Sequence, residues 1–193
     1  MLIGISGLAG SGKDEIGKYL SLRKGFLCKK FAQPLKDMIL ALPGVLGDDL
    51  EGLRKEKKLK ELNDKSPRHA MQTLGTEWGR KHMGEDFWVN ILKRDIDNRL
   101  KRRDIVITDV RFPNEVDFIH DNGGFMWTVR RPTGTKMDHV SEKYILDLKY
   151  DVMLKNYKKI DDLCKEIEAG IELCQLRTER KHWRYHALFK TKP

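Results

Sequence analysis

The most specific chemical arrangement in the chain lies near its start. Gly7, Gly12 and Lys13 stand in the spacing Gly-x-x-x-x-Gly-Lys, with Leu8, Ala9, Gly10 and Ser11 between them. In this pattern the backbone curls so that successive amides point at a phosphate, and the lysine reaches the β- and γ-phosphates of a nucleoside triphosphate. Asp14 follows, where a Ser or Thr hydroxyl usually meets magnesium; a carboxylate is also a hard oxygen ligand and serves the same ion directly or through water. Asp109 closes the apolar run at 105–108. It is placed like the strand-tip acid that orients magnesium, although an aspartate there can also cap a turn.

Transfer of a phosphoryl group to a second phosphate needs no covalent intermediate. It needs two anions held in line and their charge neutralised, so cations beyond the loop are required. Lys36, Arg68, Arg80, Arg111, Arg130 and Arg131 each fall near an expected helix end or strand tip. Arg68 and Gln72 are four apart on one expected helix and share a face, which lets Arg68 hold an acceptor phosphate while Gln72 reads a base edge. Arg130 and Arg131 open a polar segment with proline and glycine near its start, and they read either as lid arginines that exclude water from the transfer or as a solvated pair. Trp78, Phe87 and Trp88 offer either a stacking wall for an acceptor base or ordinary core.

These residues must be positioned by elements that the hydrophobic pattern makes visible. Residues 1–6 form a short, β-rich run entering the glycine turn, and 13–22 read as a helix with Ile16 and Leu20 on one face. A second strand is expected at 26–31, and a helix opening at Pro34 carries Leu35, Met38, Ile39 and Leu42. The charged stretch at 46–65, marked by Leu50, Leu53, Leu59 and Leu62, reads as an exposed helical insertion without a catalytic part. Ser66 and Pro67 form an N-cap and first helical position for a helix to about His82, and Val89, Leu92, Ile96 and Leu100 define another over 87–100. Strands at 104–109, 125–129 and 150–154 alternate with helices beginning at Pro113 and near Ile160. The expected fold is α/β, three-layered, with a central parallel sheet covered on both faces and ligands at the carboxyl ends of its strands.

The chain's 193 residues suit one domain over 1–193. The net charge of +9 favours polyanionic ligands. Three widely spaced cysteines, Cys28, Cys164 and Cys174, argue against a disulfide framework or a zinc ribbon and fit a reduced, cytoplasmic setting. No apolar run approaches the ~18 residues of a membrane span, so no membrane partner is expected. Residues 175–193 mix cations and aromatics, including Arg177, Arg180, Trp183, Arg184 and Tyr185. They form either a packed final helix or a surface for weak nucleic-acid binding, and the second alternative would make the glycine loop regulatory.

Five segments together resemble the phage-type deoxynucleoside monophosphate kinases: residues 7–14, 31–36 (Phe-Ala-Gln-Pro-Leu-Lys), 72–80 (Gln-Thr-Leu-Gly-Thr-Glu-Trp-Gly-Arg), 109–115 (Asp-Val-Arg-Phe-Pro-Asn-Glu) and 138–142 (Asp-His-Val-Ser-Glu). They run in family order as far as about Asn156, and an aspartate after the loop lysine is usual in that family. The resemblance implies ATP and a dNMP as substrates, Mg2+ as cofactor, dNDP and ADP as products feeding DNA synthesis, and a cytoplasmic setting that for a phage is the host's. It also implies a helical acceptor insertion about 34–100, with Lys36, Arg68, Gln72, Arg80, Trp88 and Arg111 toward the acceptor, and a mobile lid about 130–144 shaped by His139, Ser141 and Glu142. Asn156 resembles the place where such kinases meet the ATP base, and a homodimer is expected by the same likeness. Phosphomevalonate and dephospho-coenzyme A kinases share the ATP half of the pattern and are the alternatives.

Overall fold

The structure is a computed structural model describing residues 1–97, 99, 102–132, 145 and 147–189, with 180–189 as backbone only. Five strands build one wholly parallel sheet: β1 (Leu2–Ser6), β2 (Leu27–Lys29), β3 (Ile105–Ile107), β4 (Phe125–Arg130) and β5 (Val152–Lys155), in the order β2-β3-β1-β4-β5. β1 lies at the centre, with Ile3 opposite Val106 of β3 and Ile5 opposite Trp127 of β4. Strands buried on both faces must be apolar throughout, and all five residues of β1 and all three of β3 are buried.

Alternation along the strands divides the core into two layers. Ile3, Ile5, Val106, Trp127 and Leu154 pack on Ile16 and Leu20 of α1 (Lys13–Lys24) and on Leu163, Ile167 and Ile171 of the last helix. Leu2, Ile105, Ile107 and Met126 pack on the other side, against Val89, Leu92 and Ile96 of α4 (Phe87–Ile96) and Val116 and Ile119 of α5 (Pro113–Asp121). A third cluster joins Leu35 and Ile39 of α2 (Gln33–Leu40) to Val45, Leu50 and Trp88, with Ala70 and Met71 of α3 (Pro67–Gln72) against it. The final helix, α6 (Ile160–Phe189), runs for 30 residues and continues straight through most of the basic tail.

Three expectations are corrected. The stretch 46–65 is not an α-helical insertion. It is a chain of 3₁₀ turns (Gly47–Leu50, Arg54–Glu56, Lys60–Leu62) closed by a bridge between Leu59 and Lys65. Gly52, Asn63 and Asp64 all take positive φ, which no α-helix accommodates, and only Leu50 of its five leucines is buried. The helix opened by Ser66, whose Oγ accepts from the His69 amide, changes hydrogen-bonding pattern at Thr73 and continues as a π-helix to His82. Its end is marked by the Met83 amide donating five residues back, to Trp78. The helix expected over 87–100 ends at Ile96.

Candidate active site

The glycine loop joins the carboxyl end of β1 to the first turn of α1, so the loop amides and the positive end of a 12-residue helix converge. Gly10 (φ 73°) and Gly12 (φ 102°) hold left-handed conformations that side-chain-bearing residues reach only under strain. The Lys13 ammonium folds back across the loop, donating to the carbonyls of Gly7 (2.6 Å) and Leu8 (2.7 Å). Asn156, just past β5 and buried, donates from Nδ2 to the Ser11 carbonyl at 2.9 Å, while its own amide bonds the Arg130 carbonyl. Its side chain thus braces the loop from behind. The Ser11 hydroxyl is buried in the same turn and has no partner among the described residues.

Two carboxylates border this loop. Asp14 lies in the first turn of α1 and receives Lys30 Nζ at 2.9 Å. Partial desolvation pulls its pKa upward, but Lys30, with Lys13 and Lys36 behind it, outweighs that and leaves Asp14 below the usual carboxylate range. Asp109 stands past the tip of β3. Its two oxygens accept from the amides of Phe31 (2.8 Å) and Ala32 (2.9 Å), fixing the chain where it enters α2. Burial pushes the Asp109 carboxyl up, against the pull of those amides and of Arg111 and Lys30. Asp109 therefore ties the entry to α2 to the tip of β3, and each oxygen retains further acceptor capacity. Among the described residues no group of three or more His, Cys, Asp or Glu gathers as a metal cage. That donor set fits magnesium, which usually takes one or two carboxylates and completes its shell with phosphate and water.

The acceptor-side candidates fall into two groups. Lys36 of α2 pairs with Glu51 (2.5 Å), and Arg68 of α3 pairs with Glu56 (2.5 Å), so both point at the 3₁₀ segment. Gln72, one turn beyond Arg68, is half-buried. Arg80, near the end of the π-helix, goes elsewhere. Its guanidinium lies 3.8 Å above the Phe112 ring, Nη2 donates to Asn114 Oδ1 at 3.1 Å, and Nη1 is buried with no partner among the described residues. Arg111 joins this second group through its backbone, donating to Glu115 Oε2 at 2.7 Å. Trp88 is corrected from a stacking wall to core: it is 4 % exposed, edge-on to Phe87, and its indole donates to the Gly75 carbonyl at 2.9 Å. It supports the π-helix from behind.

Arg130 and Arg131 stand at the carboxyl end of β4, where with Gly7, Leu8, Ser11, Pro132, Ile145 and Tyr157 they line a cavity of about 260 Å3 beside the loop. The rest of the expected lid, with His139, Ser141 and Glu142, lies outside the described residues.

Sequence reasoning overlooked three residues near these sites. Lys30 feels the carboxylates of Asp14, Asp109 and Glu51, which together lift its pKa even though partial burial opposes the charge. Glu115, 4 % exposed, accepts the amides of Arg111 and Phe112 and is pushed up to about 8, first by burial. Asn114 ties Arg80 to the start of α4 through Asp86 Oδ1 at 2.8 Å. Glu115 had a legible signal, since a Glu three residues into a helix opened by proline is the second half of a capping box. Lys30 had none.

A parallel 2-3-1-4-5 sheet with a glycine loop and lysine after its central strand defines a P-loop kinase fold. Shikimate kinase from Aquifex aeolicus shares that fold at a TM-score of 0.52 and 15 % identity, over 91 % of this chain and 99 % of its own. The chain belongs to the deoxynucleotide monophosphate kinase family, whose profile matches residues 49–167. A protein of Acanthamoeba polyphaga mimivirus named for deoxynucleotide monophosphate kinase activity is 33 % identical over 188 residues, 89 % of this chain and 96 % of its own length. The deoxynucleoside-5'-monophosphate kinase of Escherichia phage T5 matches at 44 % identity over 57 residues, 29 % of this chain and 22 % of that enzyme.

Proposed function

We propose that the protein transfers the γ-phosphoryl group of ATP to a deoxynucleoside monophosphate, giving ADP and the deoxynucleoside diphosphate. The observation that carries this reading is the position of Lys36. Its ammonium bonds Glu51 of the 3₁₀ segment, and its charge is one of three lysine charges that act on Asp14 at the donor loop, which puts a cation from α2 between the loop and that segment.

In this reading the amides of residues 7–13 and the Lys13 ammonium hold the β- and γ-phosphates, with Lys13 leaving the Gly7 and Leu8 carbonyls to do so. Asn156 keeps the loop in shape, and Arg130, Arg131 and Tyr157 border the cavity that takes the rest of the donor. Lys36 and Arg68 hold the acceptor phosphate, Gln72 faces the base, and Arg80 of the π-helix and Arg111 of the 109–115 turn flank the acceptor. An acceptor phosphate oxygen attacks the γ-phosphorus, the bond from that phosphorus to the β,γ-bridging oxygen breaks, and ADP carries away the electron pair. Asp14 and Asp109 would hold magnesium, which when bound neutralises charge on the transferring group. Residues 34–100 act as the acceptor insertion of a single unit over 1–193, and 130–144 as its lid.

The test is ADP production from ATP and magnesium with each common dNMP, each ribonucleotide and no acceptor. Turnover that requires a dNMP supports the reading. Acceptor-independent hydrolysis, or turnover only with phosphomevalonate or dephospho-coenzyme A, overturns it.

A further inference from the structure

We propose that the acceptor phosphate site is kept neutralised by Glu51 and Glu56, which the incoming phosphate displaces, and that Lys55 between them is a further ligand of that phosphate. This rests on the reading that the chain phosphorylates a monophosphate.

The argument begins with which partner in each ion pair is held. The Lys36 side chain is 14 % exposed and that of its partner Glu51 is 64 % exposed, so the cation is fixed and the acid is loose. Arg68 and Glu56 differ less, at 36 % and 47 % exposed, so that pair is open to solvent on both sides. Both acids lie on the 3₁₀ segment, whose turn Arg54–Glu56 packs against α3. Gly52 turns the chain between the two acids through a left-handed conformation.

Lys55 is the half-buried residue of its turn, between exposed neighbours at 54 and 56, and among the described residues it forms no ion pair. Burial lowers its pKa, and the charges of Arg68 and Lys36 lower it further against the opposite pull of Glu56 and Glu51. Lys55 thus feels two further cations, and the two acids offset only part of that repulsion. A phosphate dianion with several acceptor oxygens satisfies all three at once. The exposed pairs it breaks are individually weak, so the exchange is easy.

The test measures steady-state kinetics with a dNMP that the wild-type protein phosphorylates. Lys55→Gln should raise the acceptor KM by roughly tenfold or more, the loss expected for a charge-assisted hydrogen bond, and leave the ATP KM unchanged. Lys55→Arg should recover most of the loss. The double variant Glu51→Gln/Glu56→Gln should lower the acceptor KM by about two- to fivefold, since two weak pairs no longer compete. A control, Glu172→Gln/Glu179→Gln on α6, adds the same charge elsewhere and should leave the acceptor KM unmoved. The inference is overturned by an unchanged acceptor KM in Lys55→Gln, or by a double variant no better than wild type or than the control. If Lys55→Gln does not fold, the acid pair decides alone. A wild-type protein without dNMP-dependent turnover removes the proposed function and this inference together; normal wild-type turnover with indifferent variants removes only the inference.

Discussion

The contact between Gly12 and Asn156 yields a quantitative expectation, because two separate defects meet at one position. A Cβ on Gly12 would sit 2.4 Å from Asn156 Nδ2, and the residue's φ is +102°. Gly12→Ala therefore incurs backbone strain of about 1–2 kcal/mol. It also drives the Asn156 amide away from the Ser11 carbonyl it meets at 2.9 Å in a buried setting. Leaving that carbonyl unpaired costs about 1–3 kcal/mol. Asn156→Ala alone loses the same hydrogen bond, together with the packing of a buried side chain. In the double variant the bond is already gone and the clash with it, so only the strain is added. The two substitutions should be less than additive by about 1–3 kcal/mol, well beyond the ~0.5 kcal/mol scatter of independent sites. The assay is urea unfolding of the four proteins, with ATP affinity measured alongside. Additive losses would show that the loop does not depend on Asn156, and would falsify its bracing role.

Lys13→Ala should lower kcat by about 100- to 1000-fold, as deletion of a preorganised donor does, with folding confirmed by circular dichroism; near-normal turnover refutes its place at the phosphates. Glu115 titrates near 8 in the fold instead of near 4.5, so over that window the folded state keeps a proton that the unfolded chain has lost. Its contribution is fully present below pH 4.5 and is lost as pH rises through about 8. Glu115→Gln should thus remove part of the wild-type fall in unfolding free energy between pH 5 and 8, and parallel profiles refute it. Gly79→Ala places a Cβ 2.3 Å from Trp88 Nε1, so overpacking of about 1–3 kcal/mol is expected, read by thermal melting and a shift in tryptophan fluorescence. Unchanged stability and fluorescence would mean the π-helix moves freely over Trp88.

The sheet was legible because its strands are buried on both faces, and such strands are written as unbroken apolar runs. Residues 105–107 and 125–130 needed no tertiary information. The glycine loop was equally open, since its chemistry depends on backbone shape and local glycines encode that shape. What stayed hidden depends on contacts far apart in sequence. Asp109 could be placed at a strand tip, but not seen to hold the amides of Phe31 and Ala32, 78 and 77 residues away. The π-helix was invisible for a related reason: it depends on Trp88 lying against Gly75 and Gly79, a contact made between two helices.

The stretch 46–65 shows where pattern reading misleads. Alternating acids and bases around sparse leucines are the usual signature of a solvated helix face, and solvated faces carry no chemistry. Charge pattern alone cannot separate that case from one in which the acids neutralise cations contributed by other elements. Lys36 and Arg68 come from α2 and α3, and they make Glu51 and Glu56 into counter-ions. The same residues on an isolated helix would pair with neighbours three or four positions away and compete with water. Here Arg54 still pairs with Asp49 across the turn at Gly52, but the turns at Gly52 and Asn63 break the helical spacing and leave Glu51 and Glu56 to cations of α2 and α3. A helix-breaking residue inside a charged run is therefore the informative sign, because it disrupts the three- and four-residue spacing by which a helix pairs its own charges and leaves some of them to partners on other elements.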